Sequence, residues 1–190
     1  MSAGLYRVNN LLHRKLLRLR EYDYSQPNAY FITTVCHKRE ELLIIDKVIE
    51  VVEKSWNSLA NRYKHVLLDE YVIMPNHFHG IVMLIDARES YRISPEDSDD
   101  ARKCGGASAA TTKSENVSDL IRVFKSISAI EANRILKRSG MPFWQRSFHD
   151  HIIGNECDLL KCRKYIINNP ANWASDKENP RLSSTQRHQL

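Results

Sequence analysis

Apolar residues along the chain change their spacing several times, and each spacing predicts one structural element. Residues 29–36 form a run of β-branched and aromatic side chains that predicts a strand. Residues 46–63 repeat apolar side chains at three- and four-residue steps, which predicts an amphipathic helix capped by Asp46. The stretch 65–85 is again β-rich. Pro75 interrupts it, so two strands joined by a tight turn or one strand with a bulge are both expected.

The second half of the chain begins with a segment that has no apolar period. Residues 86–116 are dominated by Asp, Ser, Arg, Gly and Ala, which predicts a flexible loop, either disordered or a functional flap. After it, Ser118 is expected to cap a helix over 119–137. A strand over 143–153 and a helix over 156–169 complete the predicted elements.

The order strand, helix, strand, strand, helix, strand, helix predicts an α+β fold. Hairpin-linked strands with helices on one face favour a ferredoxin-like sandwich with a mostly antiparallel sheet. The chain divides into a basic N-terminal arm over 1–24, a single domain over 25–175 and a polar, loosely held tail over 176–190. No internal repeat is visible.

Composition narrows the class of protein only modestly. The 190 residues are 42% hydrophobic and 27% charged, as in an ordinary globular protein. The net charge of +5 is compatible with a polyanionic partner, but many basic proteins bind no nucleic acid. We expect no membrane span and no signal peptide, and hence a cytoplasmic protein, nucleoid-associated when bound to DNA. The four cysteines form no CxxC pair, so a cysteine-based zinc site is not expected. The positive charge is concentrated at the N-terminus, where no acid precedes Glu21 and the basic residues are Arg7, Arg14, Lys15, Arg18 and Arg20.

Two histidines in the β-rich stretch are the first candidates for chemistry. In an extended segment His77 and His79 project from one face of the sheet, and Phe78 points to the other. Two imidazoles on one side can chelate a divalent cation. Alone, however, this pattern is more typical of two surface histidines near a turn. A rival pair, His149 and His151, could donate a ligand, orient one by a hydrogen bond, or simply end a strand.

A second pair lies on the last predicted helix. Tyr165 and Asn169 are four residues apart, so they share one helix face. Asn169 offers a carbonyl oxygen that suits Mg²⁺ or Mn²⁺, and Tyr165 offers a phenolic oxygen that can act as a nucleophile. A tyrosine at such a position is more often half-buried packing. Combined with the histidines His77 and His79, the pair indicates metal-assisted attack of a tyrosine on a phosphodiester.

Four blocks, in order, resemble one known family. The block YVIMPNHFHG over 71–80 resembles the signature of the single-tyrosine HUH transposases, in which a hydrophobic residue separates two histidines. The chain is most similar to the REP-associated tyrosine transposases within that group. The other blocks that carry the resemblance are YDYSQP with YFIT (22–27 and 30–33), FWQRSFHDH (143–151) and YIINNP (165–170).

The resemblance implies a ferredoxin-like fold of the HUH endonuclease type and a specific chemistry. His77, His79 and Asn169 would bind Mg²⁺ or Mn²⁺, and Tyr165 would be the nucleophile. Such enzymes cut single-stranded DNA near the foot of palindromic hairpins, as in REP-like repeats, through a 5′-phosphotyrosine intermediate. Related insertion-sequence enzymes often carry glutamine where this chain has Asn169, so the ligand arm is shorter here. The resemblance leaves monomer and homodimer both open.

Further residues are candidates for supporting roles. The basic arm is expected to help read the hairpin foot through Arg14, Arg18 and Arg20. On the second long helix, Arg122 and Lys125 could follow the DNA backbone, although such charges usually form only a solvated face. An exposed Trp144 could stack on an unpaired base, although a tryptophan is more often a core residue. The residues that could orient metal ligands are His151 and Gln145.

Two other functions remain open from the sequence. One is a non-catalytic, domesticated binder of structured DNA repeats. Such a binder would have no need of His77, His79, Tyr165 and Asn169. The other is a zinc-dependent hydrolase that uses the same histidines. It would require a carboxylate general base, which the 71–80 block does not supply.

Overall fold

The computed structural model describes residues 23–86, 116–176 and 179–181. Its centre is a four-stranded, fully antiparallel sheet in the order β2-β3-β1-β4. The strands are β1 (Asn28–Val35), β2 (Val66–Met74), β3 (His77–Leu84) and β4 (His149–Ile153). The helices are α1 (Asp46–Arg62), α2 (Val117–Ile135) and α3 (Glu156–Asn168), and short 3-10 helices cover His37–Arg39, Leu42–Ile44 and Pro170–Ser175. The predicted α+β class and order of elements are confirmed.

The main hydrophobic core lies between one face of the sheet and helices α1 and α2. Strand alternation directs Tyr30 from β1 and Phe78 from β3 to this face. Trp56 of α1 and Phe124 of α2 meet Phe78 there, with ring centroids 4.8 and 5.1 Å away. Each of these side chains is fully buried, and burying one contributes about 1.5–3 kcal/mol. Because Phe78 points into this core, the residues on either side of it in β3 point to the opposite face of the sheet.

Helix α3 packs on the opposite face of the sheet. Its buried residue Ile166 contacts Ile81 and Ile153 in a separate, smaller cluster. An ion pair adds to this packing, because Arg163 contacts Asp69 at 2.8 Å. The expectation that all helices share one face is therefore wrong. The 3.6-residue period shows that a helix has an apolar stripe but not which side of a two-faced sheet receives it.

The hairpin between β2 and β3 resolves the choice left open by Pro75. Two strands flank a two-residue turn formed by Pro75 and Asn76. Proline fits there because its missing N–H lies outside the ladder. A register shift between Leu68 and Tyr71 bulges β2 as well. The bulged segment contains Asp69, the residue that holds α3.

Three predicted boundaries need correction. Ile45, not Asp46, is the N-cap of α1, and no side chain caps that helix. Asn116 caps α2 in place of Ser118, by accepting a hydrogen bond from the N–H of Asp119 at 3.1 Å. The predicted strand over 143–153 shortens to β4, because its first residues fill the core instead of a ladder, with a single bridge between Cys36 and Trp144.

Other predicted segments have different outcomes. In the described part of the tail, Asn179 is buried and Arg181 contacts Glu41 at 3.3 Å. Most of the arm, with Arg14, Arg18 and Arg20, and most of the predicted loop lie outside the described residues. Within the described ranges, no helix combines the length and the apolar character that crossing a membrane requires.

Gly80 generates a stability prediction. A Cβ at this position would lie 2.7 Å from Cζ2 of Trp56 and 2.8 Å from Cε1 of Phe78. Gly80→Ala should therefore lower the free energy of unfolding by about 1–3 kcal/mol, because two large rings in the core must move. Urea denaturation measures this. Gly154→Ala is the matched control, since a Cβ there meets nothing within 4 Å. Equal stability of the two variants would contradict the close packing.

Candidate active site

The centre of the site is a pair of buried histidines on β3. His77 and His79 project from the sheet face opposite Phe78, as strand alternation predicts, and their ring centroids are 4.6 Å apart. Both side chains are buried. Strand β3 lies between β2 and β1, so paired strands on both sides hold the backbone of the pair. The two imidazoles therefore have fixed positions in the middle of the sheet.

Each ring is oriented through its Nδ1 atom. His79 Nδ1 lies 2.8 Å from Oγ1 of Thr33, and His77 Nδ1 lies 2.9 Å from Oδ1 of Asn76. Because Asn76 donates from its Nδ2 to the carbonyl oxygen of Arg39, its Oδ1 is the atom that faces His77 and accepts the Nδ1 proton. Nε2 of His77 is then the candidate ligand atom, and Nε2 of His79 takes the same role when Nδ1 donates to the Thr33 hydroxyl group. Thr33 and Asn76 were not predicted from the sequence.

Helix α3 brings the tyrosine to these histidines. The ring of Tyr165 meets His79 edge-on with centroids 5.3 Å apart, and meets Phe31 in the same way at 5.8 Å. Tyr165 is 46% exposed, so water and a substrate can reach its side chain. The predicted nucleophile and one predicted metal ligand are therefore in contact.

Asn169, one helical turn after Tyr165, ends α3 as its C-cap. Its side chain is only 2% exposed, and its Oδ1 has no hydrogen-bond partner among the described residues. Leaving a buried amide oxygen unsatisfied costs about 1–3 kcal/mol. An oxygen in this condition suits a hard divalent cation, and the role of Asn169 as a metal ligand stays a prediction.

A carboxylate that the sequence did not single out also reaches the histidines. Oδ2 of Asp176 lies 3.9 Å from Nε2 of His77, and its side chain is 7% exposed. Candidate ligand atoms of His77, His79 and Asp176 all lie within 4.8 Å of one another. The 3-10 helix Pro170–Ser175 makes this possible by carrying the chain from α3 back to β3. No periodicity marks Asp176, since it begins the polar tail.

An open cleft of about 850 Å³ lies beside the tyrosine. Its walls include Tyr165, His79 and the basic residues Arg39 and Lys161. Lys161 lies one turn before Tyr165 on α3, so the two side chains share a helix face. Two cations beside a candidate nucleophile suit a phosphodiester substrate. Neither basic residue was predicted from the sequence.

A cysteine in the same cleft is a poor rival nucleophile. Burial raises the pKa of the Cys162 thiol, and the charge of Asp158 raises it further. The thiol therefore keeps its proton at neutral pH, which leaves the sulfur weakly reactive. Tyr165 is the candidate nucleophile that the geometry favours.

The residues predicted to orient metal ligands have other partners. His151 Nε2 lies 2.8 Å from Oδ2 of Asp158, and this hydrogen bond is the main cause that lowers the pKa of Asp158. Gln145 donates from Nε2 to the carbonyl oxygen of Cys36 at 3.4 Å. The residues that hydrogen-bond the histidine pair are Thr33 and Asn76, not His151 and Gln145.

The predicted DNA contacts on and near α2 divide into two kinds. Arg122 is exposed and pairs with Asp119 of its own helix at 2.9 Å, so its contact with DNA stays a prediction. Lys125 donates from Nζ to three backbone carbonyls, those of Gln145, Arg146 and Ser147, and thereby ties that segment to α2.

Trp144 is not the exposed stacking platform that was predicted. It is 6% exposed, and its Nε1 donates to Oγ of Ser128 at 2.9 Å. Its ring meets Phe143 edge-on, with centroids 4.9 Å apart. An indole with its polar atom satisfied inside the core is a packing residue.

Comparison with solved structures identifies the fold. A REP-associated tyrosine transposase bound to a REP hairpin matches with a TM-score of 0.53 and 20% identity, over 82% of this chain and 73% of that chain. A presumed transposase of Deinococcus radiodurans gives a TM-score of 0.44 and 15% identity, over 80% of this chain and 95% of that chain. The first match shows that the chain has the fold of a REP-associated tyrosine transposase, as its sequence blocks predicted.

Comparison of sequences identifies a relative. No protein-family model matches the chain. An uncharacterised protein of Haemophilus influenzae is 30% identical over 184 residues, which cover 93% of this chain and 95% of that protein. The chain belongs to the same family as this protein.

The contact between Thr33 and His79 generates the second prediction. Thr33→Val should weaken Mn²⁺ binding by about tenfold, because residues that orient a ligating histidine typically contribute 10–100-fold to metal affinity. Isothermal titration calorimetry measures the change. Thr34→Val is the matched control, since the Thr34 hydroxyl is buried on the same strand and has no hydrogen-bond partner among the described residues. Unchanged affinity in Thr33→Val would contradict the orienting role.

Proposed function

We propose that the protein is a transposase that cuts and rejoins single-stranded DNA near hairpins through a covalent bond to Tyr165. The observation that carries this proposal is the contact between Tyr165 and His79 at the edge of the cleft that Arg39 and Lys161 also line. A tyrosine beside two convergent buried imidazoles suits phosphoryl transfer better than packing, because the tyrosine is half exposed.

His77, His79 and Asn169 would hold a divalent cation, either Mg²⁺ or Mn²⁺. The unsatisfied Oδ1 of Asn169 and the oriented rings of the two histidines support this set. When bound, the cation would stabilise negative charge on the non-bridging oxygens of the scissile phosphate.

The chain's own residues account for the remaining steps. Oη of Tyr165 loses its proton to water and attacks phosphorus, and the bond from phosphorus to the 3′ oxygen of the preceding nucleotide breaks. That oxygen takes up a proton and leaves as a free 3′ hydroxyl group, while the 5′ phosphate remains on Tyr165. Attack by a 3′ hydroxyl group of another strand reverses the step and rejoins DNA without ATP. Arg39 and Lys161 would hold the strand in line.

The proposed substrate is a single strand that carries hairpins, as in REP-like repeats. The transposase with the same fold was solved with a REP hairpin, and the net charge of +5 suits a polyanion. The arginines Arg14, Arg18 and Arg20 of the arm are proposed to read the hairpin foot, and Arg122 to follow the backbone.

The covalent intermediate provides the direct test of this function. Incubation with hairpin-bearing single-stranded DNA and Mn²⁺ should give a DNA adduct that survives denaturing electrophoresis, and chelation with EDTA should abolish it. Tyr165→Phe should form at least about 1,000-fold less adduct, because the nucleophilic oxygen is missing. Tyr63→Phe is the matched control, since the ring of Tyr63 packs on His65 away from the cleft.

The same experiment separates the enzyme from a DNA binder. Hairpin binding without any adduct, steeply dependent on salt but insensitive to EDTA, would support the non-catalytic binder. An adduct that forms equally well in Tyr165→Phe would mean that another residue is the nucleophile.

The position of the tyrosine supports an active site contained in one chain. Tyr165 contacts His79 of its own chain, so a monomer holds both parts of the proposed machinery. Mixing His77→Ala with Tyr165→Phe should therefore recover less than about a tenth of wild-type adduct formation. Recovery to roughly half of wild type would indicate that a homodimer shares its sites.

A further inference from the structure

Asp176 stands out among the described acidic residues because it is buried beside a histidine. Its side chain is 7% exposed and its Oδ2 lies 3.9 Å from Nε2 of His77. That distance is too long for a direct hydrogen bond between the two atoms. Two atoms at this separation can, however, both bind one ion between them.

The backbone around Asp176 fixes its position. The N–H of Asp176 donates to the carbonyl oxygen of Trp173, and the Trp173 ring lies 5.8 Å from the ring of His77. The N–H of Asn179 donates to the carbonyl oxygen of Asp176 at 2.9 Å, and Asn179 is itself buried. These contacts hold the turn that carries the carboxylate against the histidine pair.

The donor set is complete only when Asp176 is included. Two neutral imidazoles and the amide of Asn169 offer a divalent ion no compensating charge. Adding one carboxylate leaves a net charge of +1 at the ion, which still attracts a phosphodiester. Oδ1 of Asn169, the third ligand predicted from the sequence, is buried and has no hydrogen-bond partner among the described residues, which independently suits an oxygen that binds an ion.

We propose that Asp176 is a protein ligand of the cation, which makes the site a two-histidine, one-carboxylate centre. This inference rests on the proposed function, because it concerns the same metal site. Imidazole nitrogens suit transition ions, whereas Mg²⁺ prefers oxygen ligands and retains its waters. The centre therefore selects Mn²⁺ over Mg²⁺.

Direct measurement of bound metal tests this inference without DNA. Full-length protein is titrated with Mn²⁺, and the free ion is followed by its six-line electron paramagnetic resonance signal. Asp176→Asn should weaken Mn²⁺ binding at least about tenfold, since it removes one charged ligand. Mg²⁺ at equal concentration should not displace Mn²⁺ from the wild-type protein. Displacement at equal concentration would overturn the proposed selectivity.

Asp150→Asn is the matched control for electrostatics. Asp150 also lines the cleft, but it does not belong to the group formed with His77 and His79. Its substitution removes the same charge and should change Mn²⁺ affinity by less than about twofold. Equal losses in the two variants would mean that Asp176 acts only through its charge, and wild-type affinity in Asp176→Asn would overturn the ligand role.

Circular dichroism checks that Asp176→Asn folds. If Asp176→Asn does not fold, Asp176→Glu replaces it in the titration. The longer side chain of glutamate keeps the charge but displaces the carboxylate oxygen, so Mn²⁺ affinity should still fall. Unchanged Mn²⁺ affinity in Asp176→Glu would overturn the ligand role. The result is separable from the proposed function. Mn²⁺ binding that depends on Asp176, without any DNA adduct, would refute the proposed transposase function but not the ligand role of Asp176. A DNA adduct combined with Mn²⁺ binding that does not depend on Asp176 would refute the ligand role but not the transposase function.

Discussion

Alternation along β3 is the constraint on which the rest of the structure depends. Phe78 is fixed in the core by Trp56 and Phe124, and this directs the histidines on either side of it to the opposite face. A shift of one residue in the pairing of β3 would put the imidazoles into the apolar core and the phenyl ring into the site. Packing on one face of the sheet therefore determines the chemistry that is available on the other.

Helix α3 packs on the sheet face opposite the main core and carries Tyr165 to the histidine pair. Ile166 anchors the helix in the smaller cluster, and Arg163 anchors it to the bulge of β2 through Asp69. Tyr165 lies between these anchors, two residues after Arg163 and one residue before Ile166. A half-exposed tyrosine can keep a defined position because its neighbours, not the tyrosine itself, provide the burial energy.

Local patterns in the sequence predicted the elements and the central pairs, but not the contacts between distant segments. The histidine spacing and the four-residue step from Tyr165 to Asn169 are short-range and therefore visible in the sequence, although only their combination and the family resemblance made them site candidates. Thr33 lies 46 positions before its partner His79, and nothing local distinguishes it from the other threonine of β1. The exposure predicted for Trp144 is wrong, because the indole is buried with its N–H bonded to Ser128, and only the fold brings these two residues together.

The unequal exposure of Tyr165 and the histidine pair has a consequence for the order of events. His79 lines the cleft but is itself buried, and Tyr165 forms part of the same wall. Under the proposed function, a DNA strand bound against Tyr165 would cover the cleft side of His79. The ion would then have to bind before the DNA, and a protein holding its DNA strand would exchange its metal slowly until the DNA departs.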